Sequence, residues 1–376
     1  ILVGLLYRYY YASGDTWTFF NEGTKVAEAL KENHKLIFDF LWSDQLPIDG
    51  VNTVDNRPRS LYFLKWVSIF NLVDNSNYWI TALYFSFISF LGSWYFFQSL
   101  ARQFQTRRME AAISILFVPS LEFWGSGVIK ESIAIGFFFL LSSFFVDWYF
   151  NRRLNPFQII LLLFSCWVLW NLKYYWLAVW LAVALPVAAV TVLQKKIVWI
   201  DLHPKWTWFI LLIISTAGVS VVHPNFYFYR IFSVIAENHD AYAAISDPED
   251  LIHFYNLSPS LWSILVNSPW ASASALFRPF FFEARNMLQV AASFENLVLL
   301  ILFVISVYRF GKGNFSLGLL PFALVGYILF LSAFLALSTP NFGTLARFKI
   351  GFTPFLWFAL LNASGVIKQI MKSKSS

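Results

Sequence analysis

The chain has 376 residues, 58% of them hydrophobic and 13% charged, with a mean hydropathy of +0.60. Soluble domains carry about 25% charged residues, so this composition excludes an ordinary water-soluble globule and predicts an all-α polytopic integral membrane protein. The formal charge of +6 sits in Lys and Arg residues at helix ends and not in a basic stripe, which excludes nucleic acid as a partner. The lone Cys166, inside LLLFSCWVLW, leaves no disulfide framework or thiolate metal site within one chain.

In chain order, ILVGLLYRYYY is expected to be the end of a first spanning helix and not a signal peptide, since no basic leader or small-residue cleavage site is visible. The segment 12–77 follows, with a short helix in NEGTKVAEALKEN and an interfacial stretch at 61–73, which is too short to cross and carries Lys65. A spanning helix needs about 20 apolar residues, and such runs occur near 78–100, 109–121, 130–150, 156–171, 174–193, 206–222, 294–310, 315–337 and 350–367. The expected total is about ten spans (range 9–11), in one transmembrane domain covering 1–376 without a separate soluble domain. The segment 223–293 is long for a structureless loop, and its Trp262, Trp270 and FRPFFFE predict interfacial helices.

Short loops rich in Lys and Arg face the cytoplasm. ARQFQTRR, NRRLNP, QKKI with Lys205, RFGKG and the tail IKQIMKSKSS are of that kind. The opposite loops hold most of the acids, and they are expected to be external.

Charges at membrane depth usually mark function, and four external places collect them. The first is Asp15 in YYYASGDTWTFF: a carboxylate at a helix exit beside Tyr and Trp suits a general base, though a turn or cap Asp explains it as simply. The second is PSLEFWGSGVIKES, where Glu122, Lys130 and Glu131 crowd one hairpin; the helix dipole accounts for Glu131 alone but less well for all three. In the third, FRPFFFEARN, Arg278 and Arg285 flank Glu283, and arginine forks suit phosphate, while membrane anchoring is the plain alternative. The fourth, STPNFGTLARFKIGFTP, sets Arg347 and Lys349 at the mouth of the last helix, against the usual charge bias, where an anionic lipid head or leaving phosphate would balance them. Lys173 with Tyr174 at a tight external turn, and Arg57 and Arg59 in the first loop, are further candidates. His239-Asp240 and Asp247-Pro248-Glu249-Asp250 show no metal-ligand spacing and read first as solvated acidic loops.

Taken together these residues resemble the multi-spanning glycosyltransferases that use lipid-phosphate sugars, the GT-C superfamily. In such proteins a first helix is followed by a loop with an acid, which Asp15 matches, and a second acid opens the helix after the next external turn, which PSLEFWGSGVIKES matches with Glu131. RPFFFEA and NFGTLARFKIGFTPF are similar to segments of bacterial polysaccharide-assembly enzymes of this type. The resemblance implies a GT-C-like fold in a bacterial inner membrane, with the reaction on the periplasmic or extracellular face. It further implies a polyprenyl-phosphate-linked sugar as donor and a glycan, lipid or protein as acceptor. Arg347, Lys349 and Arg278 would offset the phosphate, Asp15 would take the acceptor proton, and Glu131 and Lys130 would position sugar or acceptor. GDT carries a single acid and not a pair, so a divalent cation, Mg or Mn, is left open and no metal ligand is assigned. Two rivals stay: an O-antigen or capsule-type polymerase, and a lipid or solute transporter or flippase without catalysis.

Overall fold

The computed structural model describes residues 1–11, 14–43, 58–313 and 317–373, apart from the side chains of Asp15, Lys372 and Ser373. The described residues are helical throughout and contain no strand, only an isolated bridge between Leu251 and Asn341. They divide into two compact units: residues 1–103 with 121–177, and residues 104–120 with 178–376.

The first unit opens with α1 (Leu2–Tyr9), α2 (Asp15–Glu32), α3 (Leu36–Trp42), α4 (Pro58–Asp74) and α5 (Tyr78–Gln103). Polar groups hold α2 and α4 together: the Asn71 amide lies between the hydroxyls of Thr24 and Thr81, at 3.0 and 2.9 Å. The start of α5 is fixed on α2 by a hydrogen bond between Thr16 and Tyr78 (2.8 Å) and by Trp17 stacked on the Tyr78 ring at 3.8 Å. Later in the chain come α6 (Arg108–Leu116), α7 (Pro119–Trp124), α8 (Lys130–Tyr149) and α9 (Pro156–Leu193).

Helices α5 and α8 meet backbone to backbone. A Cβ on Gly92 would strike the Gly136 carbonyl, and one on Gly136 would come within 2.6 Å of the Ile88 carbonyl oxygen. Small residues bring apolar helices this close where no hydrophobic gain separates lipid from protein. At the other end of the pair, buried Asp147 accepts from Ser99 (2.7 Å) and is paired with Arg102 and Arg152 at 3.1 and 3.0 Å.

The break between α6 and α7 follows from Pro119, which disfavours helical geometry at Val118. At 1.5 Å per residue α6 is only about 13 Å long, so the expected run 109–121 is two short helices. The expected turn at 172–174 is a single non-helical residue inside α9, Lys173 (φ −141°, ψ 57°). The pieces on either side measure about 25 and 30 Å, within one helix of 38 residues.

The second unit, besides α6, contains α10 (Val198–Leu202), α11 (Pro204–Val219), α12 (Ile231–Ala244), α13 (Leu261–Phe277), α14 (Met287–Gly311), α15 (Leu319–Ser338), α16 (Phe342–Phe348), α17 (Thr353–Ser364) and α18 (Val366–Ser373). Serines join α13 to α15, with Ser272 and Ser332 hydroxyls 2.7 Å apart. Arg309 of α14 donates to the Ser364 carbonyl at the end of α17 (2.5 Å), where a cation satisfies orphan carbonyls and opposes the helix dipole.

Among the described residues five helices, α5, α8, α9, α14 and α15, are long and apolar enough to cross a membrane, and α16 with α17, bent by 70°, makes up to six. The chain is therefore an α-helical integral membrane protein.

Candidate functional site

In the first unit the expected acid at the start of α8 is present and wholly enclosed. Glu131 is 0% exposed, and its Oε1 accepts from Lys173 Nζ at 2.5 Å. Lys173 reaches it because α9 breaks at that residue, and its ammonium lies 5.7 and 5.8 Å from the ring centres of Tyr175 and Trp176. An ammonium beside aromatic faces gains from their negative quadrupole, more so when desolvated. Two residues that sequence reasoning placed in separate loops are thus one ion pair.

Two further cations of this unit lie on α8 and α4. Lys130 Nζ donates to Ser60 Oγ of α4 (2.9 Å) and stands 4.8 Å from the Phe19 ring centre. The Arg59 guanidinium lies 5.2 Å from the ring of buried Tyr174. Nearby on α4, burial pushes the Tyr62 phenol up to about 12. Glu122 sits on α7, and partial desolvation raises its carboxyl above the ordinary value. Asp15 is the first residue of α2; its side chain, and the whole of Arg57, lie outside the described residues.

The second unit brings the third and fourth sequence candidates together. Arg278, at the end of α13, holds Glu283 through Nε at 3.0 and 3.1 Å and through a terminal nitrogen at 2.5 Å. The guanidinium also covers the rings of Trp270 and Phe342, at 5.3 and 5.0 Å. Desolvation acts to raise the Glu283 carboxyl. Hydrogen bonds from Arg278 and the Phe280 N–H, with the Arg278 charge, outweigh it and hold the group below the usual value. Arg285 pairs with Asp247 at 3.2 Å and with Glu249, so two acids of the 247–250 stretch serve as its counter-ions.

Lys349 does not stand open at a helix mouth. It is 3% exposed, in the bend between α16 and α17, and Nζ donates to Asn296 Oδ1 at 2.7 Å. The Asn296 amide nitrogen in turn donates to the Pro279 carbonyl (3.1 Å), which ties Lys349 to the Arg278 segment. Arg347 is the last basic residue of α16.

Beside this chain of bonds lies an acid that the sequence reading passed over. Glu295 of α14 is 7% exposed and accepts from the Ser120 N–H and Oγ (2.9 and 2.7 Å) and from Trp357 Nε1 (3.4 Å). The signal was available: SFENLVLLILF places a carboxylate within an apolar run, where charge is expensive.

No group of three or more metal-ligating side chains occurs among the described residues. No protein-family model, no curated protein and no solved structure matches the chain.

Proposed function

We propose that the chain is a membrane glycosyltransferase that moves a sugar from a polyprenyl-phosphate donor to an acceptor on the non-cytoplasmic face. The observation that supports this reading is the buried Glu131–Lys173 pair, set among Lys130, Ser60 and Arg59 at the start of α8. Such a pair is a poor way to stabilise a fold, since apolar residues of the same volume serve as well or better. Its presence at a helix entrance in a membrane protein is better accounted for by chemistry than by packing.

In this reading Asp15 takes the acceptor's hydroxyl proton, and in-line attack inverts the anomeric carbon as the phosphate leaves. Glu131 and Lys130 position sugar or acceptor. Arg347, Lys349 and Arg278 are the candidates for offsetting the charge of the leaving phosphate, a role that often supplies the largest part of catalysis. The fold would be GT-C-like with about ten spans, α9 counting as two, in a bacterial inner membrane with the reaction outside. A divalent cation, Mg or Mn, would add to the phosphate-binding charge.

The test uses purified protein in liposomes with a panel of radiolabelled polyprenyl-phosphate hexoses, scored by donor consumption and by glycan analysis. Asp15→Asn is expected to lower transfer by roughly 10²–10⁴-fold, the usual worth of a positioned general base. Full activity in that variant, or no donor consumed by the native protein, overturns the proposal. Chain extension on diphosphate-linked oligosaccharides would instead identify a polymerase.

A second reading, a transporter, has one observation in its favour: the 70° bend at α16–α17 with buried Lys349 beside it. Discontinuous helices with charged groups near the break are a transporter device, and solute flux in the same liposomes decides it.

A further inference from the structure

The segment between α13 and α14 does not project away from the membrane-spanning helix that follows it. Phe281 packs edge-on against Phe294, with ring centres 5.2 Å apart. Phe294 lies seven residues into α14, about 10 Å along the helix from its first residue. Asn296, two residues further on, donates to the Pro279 carbonyl at 3.1 Å. The chain from Pro279 to Phe281 therefore folds back along the side of α14, to the level of its third turn.

The face it presents there is apolar and open. Phe282 is 85% exposed, with Phe281 and Met287 exposed beside it, and Phe280 and Phe282 stack at 5.5 Å. This surface runs without a break into the exposed stripe of α14, through Phe294, Leu297, Ile301 and Val304. α14 is one of the span-length apolar helices, so its stripe is covered by lipid, and the Phe281–Phe282 surface is continuous with it.

Non-helical backbone survives at membrane depth only when its polar groups are satisfied by protein. Here Phe281–Glu283 forms a single 3₁₀ turn, and several of the segment's groups are met by protein: the Phe280 N–H donates to Glu283 Oε2 (2.8 Å), the Glu283 N–H to the Phe280 carbonyl (3.0 Å), and Asn296 caps the Pro279 carbonyl. Pro279 has no N–H to satisfy. The Glu283 carboxylate that closes this turn is itself neutralised by Arg278.

We propose that Pro279–Glu283 is a re-entrant loop whose Phe281 and Phe282 side chains sit among lipid acyl chains, in the leaflet at the N-terminal end of α14. The aromatic tip is the lipid-facing element, and the Arg278–Glu283 pair is the polar clasp that lets the backbone stay there. This inference does not depend on the transferase reading.

Site-directed spin labelling tests it. In a Cys166→Ala background, single cysteines replace Phe282 on the loop, Val304 on the lipid-facing stripe and Asp240, which is exposed on α12. Each labelled protein is reconstituted into phosphatidylcholine liposomes, and collision with oxygen is compared with collision with a water-soluble nickel chelate. The expected result is an oxygen-to-chelate ratio at position 282 severalfold above that at 240 and close to that at 304. A ratio at 282 matching that at 240 places the tip in water and overturns the proposal. A label at 282 reached by neither reagent means that protein covers the tip, which also overturns it. All three positions are at the surface, so the labels test location and not folding.

Discussion

The two units each enclose an acid and an amine, but they treat them in opposite ways. In the first, Glu131 and Lys173 touch each other directly. In the second, Glu295 is hydrogen-bonded by a serine and a tryptophan and Lys349 by an asparagine, so the two charges act on each other only across space, through neutral partners. A direct pair removes most of its own field, and each member depends on the other. Charges held by neutral dipoles keep their fields and can be lost one at a time. The difference predicts strong coupling in the first unit and weak coupling in the second.

The largest expected effect tests the first half of that contrast. Lys173→Met leaves a carboxylate enclosed without its ammonium, which costs about 3–5 kcal/mol of stability. The double variant Lys173→Met/Glu131→Leu is expected to recover most of the loss. Denaturation in detergent across the mutant cycle measures both, and additive single losses would mean that the direct pair is not the coupling unit.

A comparable effect belongs to the second unit. Asn296→Ala removes one acceptor from Lys349 and one donor from the Pro279 carbonyl, and each uncompensated group costs about 1–3 kcal/mol. Glu295→Gln keeps the hydrogen-bonding shape but not the charge. The same denaturation assay should find a smaller interaction energy between these two changes than between those at Glu131 and Lys173, because Glu295 acts on Lys349 across space without touching it. A large interaction energy would erase the distinction between the units.

The smallest effect concerns pH. The Glu283 carboxyl is held below its ordinary value by Arg278 and the Phe280 N–H, against the opposing pull of desolvation. A depressed acid contributes stability above its unfolded value and loses it as the pH falls through the folded value. Acidification below the ordinary carboxylate range should therefore lower the melting temperature of the native protein. Glu283→Gln should remove that part of the dependence, and an unchanged pH profile in the variant counts against the clasp.

The spans that were plain in the sequence are those decided by local composition. The α5 and α8 helices begin where expected, at Tyr78 and Lys130, because apolar runs there follow polar turns. α14 begins seven residues before the expected start, at Met287, capped by the Asn286 side chain on the Gln289 N–H (3.0 Å). Gln289 and Ser293 interrupt the apolar pattern ahead of residue 294, yet both are buried in the folded chain. Glu131 could be picked out from its position after a Pro-Ser turn. Its bond to Lys173 could not, because nothing local links residues 42 positions apart. Glu295 stood in plain view as a carboxylate in an apolar run, but its partner Ser120, 175 residues away, did not.

The contact between Gly92 and Gly136 acts as a ruler. At this crossing backbone lies against backbone, so neither helix can slide there without driving a carbonyl into its neighbour. Glu131 is five residues from Gly136 along α8, about 7–8 Å, and its height against α5 is set by that fixed point. Even a methyl group at Gly92 would move the mark, and with it the carboxylate and everything that carboxylate positions.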